Sequence, residues 1–255
     1  MVPGITFANA VLSTNAGITQ FMETRQRGVG RLALGAHGMT PNEGVLGDMG
    51  WATFEGREAK SKLRYENRVR KLEDKRWARK VLSYIYLKNV DTRWRKRTRK
   101  LASKYLTKSK DEKKSIKKQV EESETDGWRS RMEGKNALGP YRERKKHIAK
   151  ESFYDNSPGS ALLFEARTGM LRTKTHYQKF QHGTSTRCEF CQGEETTAHV
   201  ILECRGLHPG PREGTEMWRA LGFGNEEGEV DSEAVEVTKA RLNCWWKRKF
   251  INGYK

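Results

Sequence analysis

The sequence predicts a mainly α-helical chain: a helical unit and a long basic helix, followed by a small metal-binding domain with a closing helix. Three observations predict it. Apolar residues recur at three- and four-residue steps in several segments, the period of a helix with one buried face. Hydrophobic residues are only 35 % of the 255, while 32 % are charged. That supply of core suits several small packed units better than one large globule. Finally, three of the four cysteines stand with one histidine at spacings that suit metal ligation.

The elements follow in order. In segment 18–36, Ile18, Phe21, Met22, Arg25, Val29, Leu32 and Ala33 fall on one helical face, with Gly28 and Gly30 weakening it. Thr40-Pro41-Asn42-Glu43 reads as a capping box with Thr40 at the N-cap, opening a short helix that Gly47 and Gly50 end. Segment 53–88 reads as one long helix with a stripe of Tyr65, Val69, Leu72, Trp77, Val81 and Ile85. Glu58–Lys62 and Glu66–Arg70 support it as i,i+4 pairs, and the stripe is expected to pack on the 18–36 helix. Segment 92–124 continues as a more polar helix. Segment 123–160, with four glycines and two prolines, reads as a linker holding a short helix near 141–150. A helix over 160–172 turns Leu162, Leu163, Ala166, Met170 and Leu171 inward. A last helix, starting near Asp231 or Ser232, shows Val235, Leu242, Trp246 and Phe250 on one face.

Between the last two helices lie Cys188, Cys191, His199 and Cys204, spaced C-x2-C-x7-H-x4-C. Zinc takes four such ligands in a tetrahedron, and a filled shell has no open position for water. The expected cofactor is therefore a structural Zn²⁺ in a CCHC zinc knuckle, and a unit this small needs its metal to fold. Gln192-Gly193 gives the chain room to reverse, Val200, Ile201 and Leu202 form a miniature core, and Thr196 or Thr197 caps the turn carrying His199. Cys244, beside Trp245 and Trp246, reads as a core thiol.

The formal net charge is +18. Such an excess attracts polyanions, nucleic acid first and an acidic membrane surface second. Residues 93–118 hold thirteen basic and two acidic side chains, whereas residues 213–236 hold eight acidic side chains and Arg219. The expected nucleic-acid contacts are Arg93, Trp94, Arg95, Lys96, Arg97, Arg99, Lys100, Lys104 and Tyr105. Basic groups neutralise phosphates and aromatic rings stack on unpaired bases, so RNA or single-stranded DNA is the expected partner. A solvated basic helix with no defined partner is the alternative. No apolar run approaches the roughly 20 residues of a membrane span, and no basic-then-apolar leader opens the chain. The expected place is intracellular, nuclear or cytoplasmic, and not secreted; the 93–100 cluster would serve as an import signal.

Residues 194–204, Glu-Glu-Thr-Thr-Ala-His-Val-Ile-Leu-Glu-Cys, resemble the knuckle that follows the polymerase in non-LTR (LINE-type) retrotransposon reverse transcriptases. Residues 164–169 and 171–173 resemble the stretch before that knuckle. Residues 3–10 and 25–35 are similar to the segment after the palm and to the thumb helix, and residues 47–51 and 57–63 to arthropod "tick transposon" copies. The resemblance implies a thumb-like helical region at 1–90, a basic helix and linker at 91–159, and a zinc-knuckle domain with a C-terminal helix at 160–255. It also implies contacts to template RNA and target DNA, with the rest of a polymerase as a further partner.

The departure is that no Asp-Asp pair occurs anywhere in the chain. In the family that pair holds the Mg²⁺ for nucleotide addition. A C-terminal fragment without catalytic residues, not an enzyme by itself, is the expectation. A translated relic, or a protein-interaction module with no selected nucleic-acid activity, is the alternative.

Overall fold

The computed structural model describes residues 8–106, 115–181, 183 and 185–253, with the side chains of 250–253 outside the description. All regular elements among the described residues are helical: α1 (Ala16–Leu34), α2 (Asn42–Asp48), α3 (Phe54–Arg70), α4 (Trp77–Leu87), α5 (Arg93–Tyr105), α6 (Ile116–Met132), α7 (Gly139–Arg144), α8 (Pro158–Arg167), α9 (Lys174–Gln178), α10 (Met217–Ala220) and α11 (Ser232–Gly253). A 3-10 turn covers Asn136–Leu138 and a π-helical turn covers His199–Glu203. No described helix is long and apolar enough to cross a membrane. The chain forms two compact units, each discontinuous in sequence. Unit 1 comprises 1–26 and 52–130, and unit 2 comprises 27–51 and 131–255.

Unit 1 is built on α3 and α5. Ala59 and Leu63 of α3 meet Leu101 and Tyr105 of α5 and Val120 of α6 in one buried cluster. The start of α3 is fixed by two nested bonds: Thr53 Oγ1 accepts from Gly56 N–H at 3.0 Å, and Glu124 accepts from Thr53 N–H at 2.8 Å. Gly56 is needed there, because a Cβ would stand 2.4 Å from Glu124 Cδ. Tyr105 O–H donates to the other Glu124 oxygen at 2.8 Å. Burial, and then that carboxylate, push the Tyr105 phenol far above its usual range and keep it a donor.

Several expectations are corrected in this unit. The 53–88 segment is two helices, parted by a turn closed by Arg76 N–H on Glu73 O at 3.0 Å. No glycine or proline marks that break. The break lets both Leu63 of α3 and Leu82 of α4 be buried, positions about 100° apart on one straight helix. The apolar stripe accordingly dissolves: Val69 is buried, but Leu72, Trp77 and Val81 are exposed. The main packing of α3 is on α5; the 18–36 helix meets its start, where Glu23 accepts from Phe54 N–H at 2.5 Å, and Ile18, Phe21 and Leu32 face solvent. The 92–124 helix is also divided. Helix α5 stops at Tyr105, and α6 runs to Met132, inside the expected linker. Lys108, Lys110, Lys113 and Lys114 lie outside the described residues. The two i,i+4 pairs are present, Glu66–Arg70 at 2.5 Å and Glu58–Lys62 at 3.7 Å.

Unit 2 is organised by α8 and α11. Gly159 lets the two backbones touch, since a Cβ would lie 2.6 Å from Lys239 O. Helix α8 starts two residues before the expected point, at Pro158, with Ser157 Oγ accepting from Ser160 N–H at 3.1 Å. It ends at Arg167, with Gly169 at φ +68° just beyond. Phe164 joins Leu34 and Val45 in a further buried cluster. On α11 the large buried apolar residues are Val235, Leu242 and Trp245, whereas Trp246 is only half-buried. Val235 and Leu242 thus face inward as expected, Trp245 takes the place of Trp246, and the Phe250 side chain lies outside the description. Thr40 is not a cap either: Pro41 holds the N-cap position and makes no side-chain capping bond.

Arg167 is the surprise of unit 2. Its guanidinium is fully buried, with Nε on Asp48 Oδ2 at 3.0 Å and Nη2 on Glu151 Oε1 at 2.9 Å. Tyr141 and Tyr154 each donate to Asp48 at 2.6 Å, and Lys145 bonds Glu151, so two cations balance two carboxylates. The Phe223 ring lies 4.1 Å from the Arg167 carbon.

The orientation of α5 is testable. Leu101→Ala empties a fully buried position, and a loss of about 2–5 kcal/mol is expected. Arg99→Ala on the exposed side should change stability by no more than about 0.5 kcal/mol. Urea unfolding followed by far-UV circular dichroism measures both.

Candidate metal centre

The four expected ligands are brought together. Cys188 Sγ lies 3.7 Å from Cys204 Sγ, Cys191 Sγ lies 3.6 Å from Cys204 Sγ, and His199 Nε2 lies 3.1 Å from Cys191 Sγ. All four donor atoms fall within 4.8 Å of one another. A tetrahedral zinc with Zn–S bonds of about 2.3 Å requires sulfurs about 3.8 Å apart. A disulfide would need about 2.0 Å, and all four cysteines are free thiols. The donor set therefore fits zinc in both chemistry and spacing.

The local chain explains the convergence. Cys188 N–H donates to Gly193 O at 2.6 Å and Gln192 N–H to Cys188 O at 2.9 Å, closing a tight turn around the first two ligands. Gln192 adopts φ +65° to complete it. Gly193 follows because a Cβ there would stand 2.9 Å from His199 Cε1 and 3.5 Å from Cys191 Sγ. An isolated bridge between Arg187 and Glu194 continues the hairpin. Thr196 is the cap: its Oγ1 accepts from His199 N–H at 3.0 Å. The π-helical turn then carries His199 and ends on Cys204, whose N–H donates to His199 O at 2.8 Å. Glu203 lies 3.6 Å from His199 Nδ1, on the side away from the sulfurs.

Without a cation the thiols hold their protons unequally. Burial pushes the Cys188 thiol up, and burial lifts Cys204 to about 12. Burial acts on Cys191 too, but the Gly193 N–H and the neighbouring thiols outweigh it and draw that thiol below its usual value. A divalent cation ligates thiolates, so it would displace these protons.

Arg241 on α11 is a residue that sequence reading missed. Its side chain is buried and donates only to backbone oxygens: Nε to Val200 at 2.7 Å, Nη1 to Leu207 at 2.6 Å and Pro209 at 3.1 Å, Nη2 to Cys204 at 2.5 Å. These carbonyls belong to the ligand-bearing turn and the loop after it. Glu195, 2 % exposed, ties the other side by accepting from Lys174 N–H at 2.9 Å and lying 3.4 Å from Lys249 Nζ. The sequence signal for Arg241 was slight, a basic residue next to Leu242 of the expected apolar face. Cys244 is half-buried and is not part of the cluster.

The nine residues expected to contact nucleic acid are divided by the fold of unit 1. Arg93, Lys96, Arg99 and Lys100 are exposed. Lys104 is exposed but pairs with Glu55. Arg97 binds Glu58 at 2.6 Å and Glu55 at 3.4 Å across to α3. Arg95 and Tyr105 are buried, Arg95 reaching Val90 O at 3.1 Å. Trp94 is half-buried, its Nε1–H on Ala10 O at 2.8 Å and its ring edge-on to Tyr65 at 6.4 Å. Arg95, Arg97 and Tyr105 thus serve the fold.

Fold and site together define a helical protein with a Cys3His cluster suited to a metal ion such as zinc. No family model matches the chain, and no curated protein and no solved structure matches it either.

Two measurements follow from the geometry. Elemental analysis should find one zinc per chain, lost in Cys188→Ser and Cys204→Ser but kept in Cys244→Ser. Arg241→Met leaves several buried carbonyls without a donor, and a destabilisation of about 3 kcal/mol or more is expected. It should appear as a lower Tm in calorimetry of the zinc-loaded protein.

Proposed function

We propose that the chain is a zinc-stabilised module that binds RNA or single-stranded DNA, the C-terminal part of a non-LTR retrotransposon reverse transcriptase without polymerase activity of its own. The observation that carries the binding is the concentration of exposed positive charge on one helix. Arg93, Lys96, Arg99 and Lys100 project from α5 into solvent, while the paired Arg97 and the buried Arg95 hold that helix in place. Of those four exposed residues only Lys96 has a carboxylate partner among the described residues, Asp91 at 2.7 Å. Lys117 and Lys118 extend the positive surface at the start of α6, and Arg64 and Arg68 rim an open groove with Tyr65. Such a surface gains affinity by releasing counterions from phosphates.

Zinc serves structure in this reading. All four ligand positions are protein atoms, which gives the ion no site for a reacting water. The retrotransposon origin is supported by the knuckle string around His199 and by its spacing. Among the described residues the cluster at 188–204 is the sole group of side chains placed to hold a metal.

The test is binding of the zinc-loaded chain to a labelled 20-nucleotide RNA across a salt series. Engagement of about five phosphates predicts a log–log slope of about −3.5 for a single strand. Converting Arg93, Lys96, Arg99 and Lys100 to Gln should flatten the slope by about 3. A slope near zero in the unaltered chain removes the proposal, and primer extension by the chain alone would remove its non-catalytic half.

A further inference from the structure

Helix α4 in unit 1 carries an apolar face that nothing among the described residues covers. Trp77 is 79 % exposed, Tyr84 60 %, Val81 53 % and Leu87 83 %. At 3.6 residues per turn these four, with Lys80 and Lys88, occupy about 120° of arc. The opposite side is the one that packs: Leu82 is buried, and Tyr86 O–H donates to Glu66 at 2.9 Å. Exposed rings of this size on a helix are unusual unless something binds them.

The charge around them selects the occupant. Residues 75–88 contain five basic side chains and no acidic one; Lys75 and Arg79 pair with Glu73 and Asp74 just before the helix, and both pairs leave Lys80 and Lys88 out. Two of those, Lys80 and Lys88, lie within the apolar face and do not merely flank it. Lys80 Nζ sits 5.3 Å from the centre of the Trp77 ring. A dry protein groove or a layer of acyl chains laid over this face would bury two ammonium groups without partners. A single strand of nucleic acid has what both halves of the face need. Its bases present π-faces to Trp77 and Tyr84, and its phosphates reach the lysines between them. The two rings stand two turns apart, about 10 Å along the axis.

We infer that the exposed face of α4, centred on Trp77, Lys80 and Tyr84, is a stacking platform for unpaired bases of RNA or single-stranded DNA. This rests on the nucleic-acid reading above and assigns the base contacts to α4, with α5 supplying phosphate contacts. It also relocates the aromatic half of the interface: Trp94 and Tyr105 are engaged in the fold, whereas Trp77 and Tyr84 are open to solvent.

The experiment compares the full zinc-loaded chain with Trp77→Ala/Tyr84→Ala and with Trp77→Phe/Tyr84→Phe. The probes are a labelled 12-nucleotide oligo(U), a 12-base-pair RNA duplex, and vesicles of 30 % phosphatidylserine. Such exposed positions cost little stability, and circular dichroism checks that the helix content is kept. The platform predicts a loss of about 10- to 100-fold in oligo(U) affinity for the Ala pair. The salt slope should stay unchanged, the Phe pair should recover binding, and duplex affinity should not move. Equal oligo(U) binding by the Ala pair and the unaltered chain overturns the platform while leaving the α5 reading intact. Vesicle binding lost in the Ala pair with oligo(U) binding kept overturns it in favour of a lipid surface. Failure of the unaltered chain to bind oligo(U) at all overturns both.

Discussion

The Arg241 guanidinium holds the metal centre to the rest of unit 2. It is buried, and its donors reach the carbonyls of Val200, Cys204, Leu207 and Pro209. A charged donor with several geometrically fixed N–H groups can satisfy several backbone oxygens at once, which no apolar side chain can do. The ligand turn makes few bonds of its own, because a π-helical turn of five residues leaves its last carbonyls unpaired. Helix α11 supplies the missing donors from a single residue. The position of Cys204 and His199 is therefore set twice, once by the hairpin that carries Cys188 and Cys191, and once by α11.

Arg167 solves a similar problem elsewhere in unit 2. Asp48 is fully buried and would be intolerable alone. Arg167, Tyr141 and Tyr154 all donate to it, and Lys145 closes the cluster through Glu151. Burial lowers and the surrounding carboxylates and phenols raise the Arg167 pKa, with the net effect well above its usual value. Both phenols are likewise held far up, first by burial and then by Asp48. A chain with little apolar material uses long cationic side chains as core, their stems against rings and their heads on oxygens. The Arg167–Phe223 contact is an instance.

The same economy governs the basic helix of unit 1. Its charges do two jobs according to face. Arg97 and Lys104 are neutralised by Glu55 and Glu58 of α3, and this pairing sits beside the Leu63–Leu101 contact. Arg95 is buried, Lys96 pairs with Asp91 at 2.7 Å, and Arg93, Arg99 and Lys100 are left to solvent. Only the exposed set contributes to a field that a polyanion would feel at distance. A run of thirteen basic residues therefore overstates the charge available for binding.

Local chemistry was legible in the sequence. The Cys3His cluster was, because a short C-x2-C turn and a nearby His-x4-Cys impose their own geometry. So were the i,i+4 pairs, Thr196 as a cap, the start of α11 at Ser232, and the helical class, since each depends on neighbours within about one turn. What the tertiary structure alone decided was direction. The break between α3 and α4, the inward turn of Arg95 and Tyr105 and the outward turn of Trp77 are set by packing, and the burial of Arg167 on Asp48 and of Arg241 on the ligand turn depends on partners 119 and 32 to 41 residues away. Periodicity marks that a face exists, but which face is buried depends on the surface that meets it.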